Sequence, residues 1–488
     1  MENLAALVDD GAALGPARPA FVHADGVVTY GDLVDQISAS RAALQDLGVQ
    51  RGDRVAISLA FAPDFAVAFY GALGIGAIAV PMNPALTPRE AGHYLADSGA
   101  KVLLAHPQAA AWTTSRDVQL VGPDQLRTHV GRAELVSRDA EDTAVILYTS
   151  GTTGTPKGAE LTHGNLAFNA TTLADLAIIG PLPSDVVAGV LPLFHTMGLT
   201  LLNLTLAAGA AMWPVEKFDA RQIAELIDSA QITVLAGVPT HVQMIMAHSE
   251  DLRFPTPLRR VTTAGAEIQP TLRTWVEERL GTPVIEGYGL TEASPTVASH
   301  RDDAEIRNGS VGRPLPGVDV QIVDRQGNRV PPGELGEIIV RGPNVMKGYW
   351  NNPDATAQAV TGGWLATGDI GRIDADGYLY IVDRLKQVII RGGYNVYPRE
   401  IEMVLREHPA VADAAVVGIP DDRLGEEIAA FIVGTDAPLA EQQIREHARA
   451  NLAPYKSPRR FIFVDALPKT STGKIARTEL RSSLLPKR

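Results

Sequence analysis

A run of hydroxyl and glycine residues directly follows a predicted buried strand near residue 150. Residues 143–147 (TAVIL) have the β-branched, apolar character of an interior strand, and residues 148–158 (YTSGTTGTPKG) follow without a break. Glycines allow backbone N–H groups to approach an anion, hydroxyls donate further hydrogen bonds, and Lys157 adds a mobile positive charge. The stretch therefore has the composition of a phosphate-binding loop.

The spacing of this loop excludes a P-loop NTPase. A Walker A loop requires the pattern Gly-x4-Gly-Lys-Ser/Thr, whereas Lys157 follows Pro156 and precedes Gly158. A second glycine pattern, residues 74–79 (GIGAIA), follows a predicted helix and precedes a predicted strand, which is the wrong order for a dinucleotide site. A Gly/Thr-rich surface turn is the alternative to a phosphate loop, and other stretches of the chain decide between the two.

Strands and helices alternate along much of the chain, as in a parallel α/β sheet. A predicted helix at 63–73 lies between predicted strands at 55–59 and 77–80. From residue 333 to residue 349, short β segments with turns predict antiparallel hairpins instead. At 488 residues the chain is too long for one compact core, so two or more domains are expected.

Charge and residue usage exclude several classes of function. The net charge of −13 argues against a nucleic-acid binder, which would need a basic surface. The chain has no cysteine, so any thiol chemistry must use a thiol from a substrate. The N-terminus lacks a basic segment before an apolar core, and no uncharged apolar run reaches the ~18 residues of a spanning helix. The sequence therefore predicts a cytoplasmic protein without a transmembrane segment.

Two further strand ends carry groups suited to a nucleotide. In residues 286–292 (EGYGLTE), glycines would let a base lie against the backbone, and Tyr288 offers it a flat ring. Thr291 adds a hydroxyl, and Glu292 is the magnesium candidate because Mg²⁺ takes one or two carboxylates together with phosphate oxygens. Asp369 follows another strand, and a carboxylate can accept both hydroxyls of a ribose. A solvent-facing glutamate and an ordinary Gly-Asp turn are the alternatives.

Five motifs together resemble the adenylate-forming superfamily, which contains acyl-CoA synthetases, luciferases and peptide-synthetase adenylation domains. They occur in the order and spacing of that superfamily, and the resemblance extends over essentially the whole chain. The motifs are residues 148–158, 286–292, 367–369 (TGD), 378–386 (YLYIVDRLK) and 468–475 (PKTSTGKI).

The resemblance implies a role for each matched residue. Lys474 would enter the site for adenylation and neutralise charge between the carboxylate and the α-phosphate, together with Lys157 and with Glu292 through its metal. Thr291 is the fourth implied catalytic residue. The acyl acid would lie against His195, Gly237 and Val238, and the pantetheine arm of CoA against Gly392 and Gly393. The implied ATP- and AMP-binding residues are Thr149, Ser150, Gly151, Thr152, Thr153, Gly154, Gly265, Ala266, Glu267, Glu286, Gly287, Tyr288, Gly289, Asp369 and Arg384.

The resemblance also implies the fold and its division into domains. It is an α/β fold with an N-terminal adenylation domain at 1–383, built from layered, mostly parallel sheets with helices and a small β region. A hinge at 384–386, centred on Lys386, would precede a small mobile α+β lid domain at 387–488. Adenylation needs a lysine from the lid, and thioester formation needs a path for the thiol. The lid is therefore expected to rotate between these two half-reactions.

The implied activity is that of an acyl-CoA synthetase, which forms acyl-AMP from an acid and ATP with Mg²⁺ and then a thioester with CoA. The stretches 194–206 and 235–246, which would form the acyl pocket, are mainly apolar and offer no Asp for an amino group and no Arg for a second carboxylate. This favours a medium- or long-chain fatty acid. The alternatives are a ligase that loads a separate acyl carrier protein, an aryl-acid CoA ligase and a catalytically silent nucleotide binder.

Overall fold

The computed structural model divides into two compact units, Met1–Val320 with Val340–Ala366 and Gln321–Ile339 with Thr367–Arg488. The residues that the structure describes are 3–60, 62–113, 118–149, 156–175, 179–229, 231–248, 258–301, 304–391, 394–421, 423–435, 440–469 and 475–484. The predicted domain boundary at residue 383 and hinge at 384–386 describe where the lid domain would rotate between adenylation and thioester formation. They stay predictions.

The strands alternate with helices through most of the first unit. The strands are β1 (Pro19–His23), β2 (Gly26–Thr29), β3 (Arg54–Ser58), β4 (Ile78–Pro81), β5 (Val102–Ala105), β6 (Gln119–Val121), β7 (Thr143–Thr149), β8 (Lys157–Thr162), β9 (Val186–Gly189), β10 (Ala211–Pro214), β11 (Val234–Gly237), β12 (Arg260–Ala264), β13 (Val284–Gly289), β14 (Thr296–Ser299), β15 (Arg313–Pro314), β16 (Asp319–Val323), β17 (Gly336–Arg341), β18 (Gly348–Tyr349), β19 (Val360–Thr361), β20 (Trp364–Ile373), β21 (Leu379–Arg384), β22 (Ile389–Arg391), β23 (Tyr394–Val396), β24 (Val411–Asp421), β25 (Gly425–Gly434) and β26 (Arg460–Phe463).

The helices begin at residues typical of helix starts. Thr29 and Thr87, for example, each accept a hydrogen bond from the backbone three residues on and form capping boxes with Asp32 and Glu90. The helices are α1 (Ala6–Ala13), α2 (Tyr30–Asp46), α3 (Ala62–Gly74), α4 (Pro88–Ser98), α5 (Pro123–Arg127), α6 (His163–Asp175), α7 (Thr196–Ala207), α8 (Ala220–Asp228), α9 (Pro239–Met246), α10 (Pro270–Trp275), α11 (Pro353–Ala359), α12 (Pro398–Arg406), α13 (Glu441–Asn451) and α14 (Arg477–Ser483).

Two sheets form the frame of the first unit. The larger has nine strands in the order β15-β14-β13-β12-β11-β9-β10-β1-β2, and its six strands from β13 to β1 are parallel. The smaller has seven strands in the order β18-β8-β7-β4-β3-β5-β6, with β8 and β18 antiparallel to their neighbours. Every residue of α3 is buried, as expected for a helix that is apolar on all sides.

The second unit has its own core. The strands β24 and β25 form a long antiparallel pair, and β26 runs parallel to β25. Residues of β24 alternate between two apolar clusters, with Val416 beside residues of α12 and α13 and Val417 beside residues of α14. In a third sheet, β20 lies between β17 and β21. The predicted α/β fold, with layered parallel sheets and a separate C-terminal region, is confirmed.

Within the described ranges, no helix is both long enough and apolar enough to cross a membrane.

Candidate active site

The candidate active site lies at the carboxyl edge of the nine-stranded sheet. The strands β9, β11, β12 and β13 are parallel, and their register pairs Gly237 with Thr263 and Ala264 with Gly287, so they end close to one level. Ligands of open α/β sheets bind at this edge. The segments at these strand ends carry the predicted residues His195, Gly237, Val238, Gly265, Ala266, Glu267, Gly287, Tyr288, Gly289, Thr291 and Glu292.

Two glycines at this edge are required by the backbone. Gly265 has a φ of +82°, in the left-handed region that side chains rarely adopt, and both Gly265 and Ala266 are exposed. At Gly289, a Cβ atom would lie 2.1 Å from the carbonyl oxygen of Pro295. The main chain after β12 is therefore exposed, while the turn after β13 is closely packed, and contact of the exposed loop with adenine stays a prediction.

A buried ion pair lies behind this loop. The Glu286 carboxylate accepts hydrogen bonds from the Arg273 guanidinium and, at 3.2 Å, from the backbone N–H of Ile268, which directly follows the loop at 265–267. Both charged side chains are about 95% buried. Burial raises the pKa of the Glu286 carboxyl, and the adjacent Arg273 opposes that shift. The Glu286 side chain thus fixes the loop to β13, and its predicted contact with nucleotide stays a prediction.

Lys157 and Glu292 are linked by a residue that the sequence analysis did not single out as functional. Lys157 begins β8, which pairs with β18, and its Nζ lies 5.2 Å from the centre of the Tyr349 ring. The Tyr349 hydroxyl donates a 2.9 Å hydrogen bond to Glu292 Oε1. Thr149 pairs with Lys157 in register across the β7–β8 hairpin. The structure therefore brings Lys157 and Glu292 together at Tyr349, with Thr149 beside Lys157.

The start of α7 lies beside the turn that carries Glu292. The hydroxyls of Thr196 and Thr291 are 3.3 Å apart, and Thr196 is the first residue of α7. His195 precedes it, is exposed, and its ring lies 4.6 Å from that of Phe194. The contact between Thr196 and Thr291 therefore joins two segments of the site. One carries His195 on the predicted acyl side, and the other carries Thr291 on the predicted phosphate side.

An aromatic stack lies next to Gly237 on the predicted acyl side. Gly237 is followed by His241, whose Nδ1 would lie 3.0 Å from a Cβ atom at Gly237, and the His241 ring stacks on Phe218 at 4.4 Å. Burial lowers the pKa of His241 to about 4, so the ring is neutral near pH 7. By contrast, residues 198–206 of α7 are shut off from solvent. The leucines of this helix fill the core, and its predicted part in the acyl pocket stays a prediction.

The two predicted ribose residues meet in the second unit. Asp369 and Arg384 face each other in register on β20 and β21, and Arg384 Nε lies 3.2 Å from Asp369 Oδ1. Asp369 is buried, while the Arg384 side chain is 57% exposed. The main chain of Lys386 lies in a short turn at Leu385–Gln387. The remaining predicted residues, Ser150, Gly151, Thr152, Thr153, Gly154, Gly392, Gly393 and Lys474, lie outside the described residues.

Comparison with known proteins identifies the family. A model of the AMP-binding enzyme family matches residues 8–350, and a model of the AMP-binding enzyme C-terminal domain matches residues 400–474. The chain belongs to the AMP-binding enzyme family. Among the relatives of this AMP-binding enzyme, a feruloyl-CoA synthase from an Amycolatopsis species is 37% identical over 485 residues, which cover 96% of each chain.

Other similar proteins agree with this assignment. A long-chain-fatty-acid–CoA ligase of Bacillus subtilis is 34% identical and covers 98% of this chain and 94% of its own. The crystal structure of ATP-bound MatB from Rhodopseudomonas palustris superposes with a TM-score of 0.93 at 34% identity, and the match covers 99% of this chain and 98% of that one. The predicted superfamily and enzyme class are confirmed. This AMP-binding enzyme is an AMP-forming acyl-CoA synthetase, which adenylates an acid with ATP and ligates it to CoA.

Proposed function

We propose that the acid is an apolar monocarboxylic acid with no charged group besides its carboxylate, with aryl acids as the first candidates and medium- or long-chain fatty acids as the second. The observation that supports aryl acids is the Phe218–His241 stack beside Gly237, since a planar acid packs well against a flat aromatic wall. The neutral His241 provides no cation for a second carboxylate. The apolar composition of 235–246 supports fatty acids as the second class.

For the first half of the reaction, a carboxylate oxygen attacks the α-phosphorus of ATP and pyrophosphate leaves. Lys157 and Lys474 offset the charge that builds on the phosphates, and the loop at 265–267 holds the base. Glu292 fits a magnesium ion, because its Oε1 is already engaged by Tyr349 while Oε2 accepts no hydrogen bond from the described residues. A bound Mg²⁺ would stabilise the leaving pyrophosphate and complete its coordination with phosphate oxygens.

For the second half, a thiolate attacks the carbonyl carbon of the acyl-adenylate, and the carbon–oxygen bond to AMP breaks. We assign Gly392 and Gly393 to the path of the pantetheine arm, Asp369 and Arg384 to the ribose, and Lys386 to the hinge about which the lid turns. CoA is the acceptor, and a ligase that loads a separate acyl carrier protein would share every motif. A cytoplasmic location completes the proposal.

A panel of acids tests the substrate class. Pyrophosphate release is measured with Mg-ATP and CoA for ferulic, benzoic and anthranilic acids and for saturated fatty acids of 8, 12 and 16 carbons. An aryl acid is expected to give the highest kcat/KM, by roughly tenfold, since one or two methylene-sized misfits cost about that much. If fatty acids are the substrates, a fatty acid would instead give the highest kcat/KM. If the protein turned over none of these acids, the proposed substrate class would be contradicted.

Replacement of Glu292 tests its metal role. Glu292→Gln is expected to lower the rate of pyrophosphate release by about 100-fold, the usual effect of losing one group that stabilises transition-state charge. Added Mg²⁺ should restore part of the rate. The matched control is Glu278→Gln, an exposed glutamate of the same unit. Unchanged kinetics in Glu292→Gln would place the metal elsewhere.

Replacement of Gly393 tests the thiol path. In Gly393→Phe, the acyl-adenylate is expected to form at nearly the normal rate and then to accumulate, because the side chain would fill the space that the pantetheine arm needs. Adenylate and acyl-CoA are quantified by mass spectrometry. Gly122→Phe is the control, since nothing lies within 4 Å of a Cβ atom there. Loss of pyrophosphate release in Gly393→Phe would show that the thiol path is wrongly placed.

A further inference from the structure

A short segment at 346–350 joins the strand that carries Lys157 to the turn that carries Glu292. The backbone N–H of Trp350 donates to Gly158 O at 2.7 Å and that of Lys347 to Glu160 O at 3.0 Å, so the segment extends the sheet beside β8. At its other end, the N–H of Met346 donates to Glu292 O at 2.8 Å. Five consecutive residues therefore hold both proposed charge-bearing elements of the adenylation site.

The side chain of Tyr349, within this segment, contacts both charged groups. Its hydroxyl donates to Glu292 Oε1 at 2.9 Å, and its ring faces the Lys157 ammonium at 5.2 Å from the ring centre, which is a cation–π distance. Burial raises the pKa of the Tyr349 hydroxyl, and the neighbouring Glu292 carboxylate raises it further. A tyrosine phenol carries its proton near pH 7 in any case, so the hydroxyl can donate to the carboxylate.

Lys157 and Glu292 form no ion pair in the part of the chain that the structure describes, although the same tyrosine contacts both. Opposite charges attract each other, so a lysine and a glutamate that contact the same side chain could also pair with each other. Here the phenol ring offers the ammonium an alternative partner and the hydroxyl offers one to the carboxylate. Each charged group is thereby kept available for a ligand.

We propose that Tyr349 is a positioning residue that keeps Lys157 and Glu292 apart and orients both toward the nucleotide. Its hydroxyl occupies Oε1 of Glu292 and directs Oε2 to the metal, while its ring holds the ammonium on the phosphate side. This inference rests on the proposed roles of Lys157 and Glu292 and adds a residue that carries no charge. It predicts that the phenol hydroxyl sets the affinity for the divalent ion and that the ring sets the affinity for the triphosphate.

Two substitutions separate the hydroxyl from the ring. Tyr349→Phe keeps the ring and loses the hydrogen bond, and it should raise the Mg²⁺ concentration for half-maximal pyrophosphate release about tenfold, the size of one hydrogen bond to a charged group. Tyr349→Leu loses both contacts and should also raise the KM for ATP about tenfold. Neither should change thioester formation from a supplied acyl-adenylate and CoA. Tyr380→Phe is the matched control, since the Tyr380 hydroxyl donates to the Asp374 carboxylate at 3.2 Å in the second unit.

A binding measurement makes the test independent of turnover. Mn²⁺ is titrated into the protein with α,β-methylene-ATP and followed by electron paramagnetic resonance. Tyr349→Phe is expected to bind the ion about tenfold more weakly than the wild type and than Tyr380→Phe, with an unchanged melting temperature. Equal Mn²⁺ affinities in all three proteins would overturn the proposal, even if the wild type makes acyl-CoA. Equal losses in both half-reactions together with a lower melting temperature would also overturn it, because they indicate a purely structural role.

Discussion

Lys474→Ala is expected to lower acyl-adenylate formation from acid and Mg-ATP by about 100- to 1,000-fold, the effect of removing one group that offsets charge in a transition state. The reason is that the attacking carboxylate and the α-phosphate are both negative, and the ammonium is the charge that lets them approach. Thioester formation from a supplied acyl-adenylate and CoA should be nearly normal, because that half transfers an acyl group and uses a different arrangement of the lid.

The contrast between the two half-reactions is the informative result. Each is measured separately, the first as pyrophosphate release without CoA and the second as acyl-CoA from synthetic adenylate. Lys469→Ala is the control, a lysine five positions earlier in the same motif. Equal loss of both halves in Lys474→Ala would contradict the role that we assign to this lysine and would indicate that it stabilises the fold.

The second large effect is on stability. Arg273→Met should destabilise the first unit by about 3–5 kcal/mol, because it leaves the Glu286 carboxylate buried without its counter-ion. The change is measured as a lower melting temperature and a lower urea midpoint of the transition that reports this unit. The control is Arg279→Met, which replaces an exposed arginine of the adjoining helical turn. It should change the melting temperature and the urea midpoint only slightly.

The double variant Arg273→Met with Glu286→Leu distinguishes the cause. Replacing both members of a buried ion pair with apolar side chains is often neutral, so most of the lost stability should return. The loop at 265–267 would then lack its hydrogen bond from Ile268 to Glu286, and the KM for ATP is expected to rise while the KM for the acid does not. If the double variant is as unstable as Arg273→Met, the ion pair is not the source of the loss.

The sequence predicts the sheet edge because its signals are local. Each of β11, β12 and β13 is an apolar run that ends in glycine or is followed by one, and the parallel order then brings those ends to one level. The helix at Ala62–Gly74 is likewise close to the predicted range 63–73, since the signals that predict it are contained within about a dozen residues.

Tyr349 could not be found in this way. Its hydroxyl contacts Glu292, which is 57 positions earlier, and its ring contacts Lys157 on a third segment. No spacing rule connects these positions, because the contact arises when β18 adds to the edge of β8. An aromatic residue in a short strand has the same local pattern whether it fills a core or orients a metal ligand.

The sequence of the apolar helix α7 is ambiguous for a different reason. Its leucines indicate burial, and burial against the core and burial against a bound acyl chain have the same composition. In the structure, Leu199, Leu202 and Leu204 have no exposed surface, and Asn203 accepts a 2.7 Å hydrogen bond from the hydroxyl of Tyr70. In the structure the helix is part of the frame, and the acyl-site roles of Gly237 and His195 stay predictions.

The most direct test of the central claim follows the oxygen atoms of the acid. A turned-over acid labelled with ¹⁸O in both carboxylate positions is incubated with the protein, Mg-ATP and CoA, and the products are analysed by mass spectrometry. Attack of the carboxylate on the α-phosphorus predicts AMP that carries one ¹⁸O, together with acyl-CoA that retains the other. Label in inorganic phosphate with ADP as the product, or AMP without label, would contradict an acyl-adenylate and with it the account of the site.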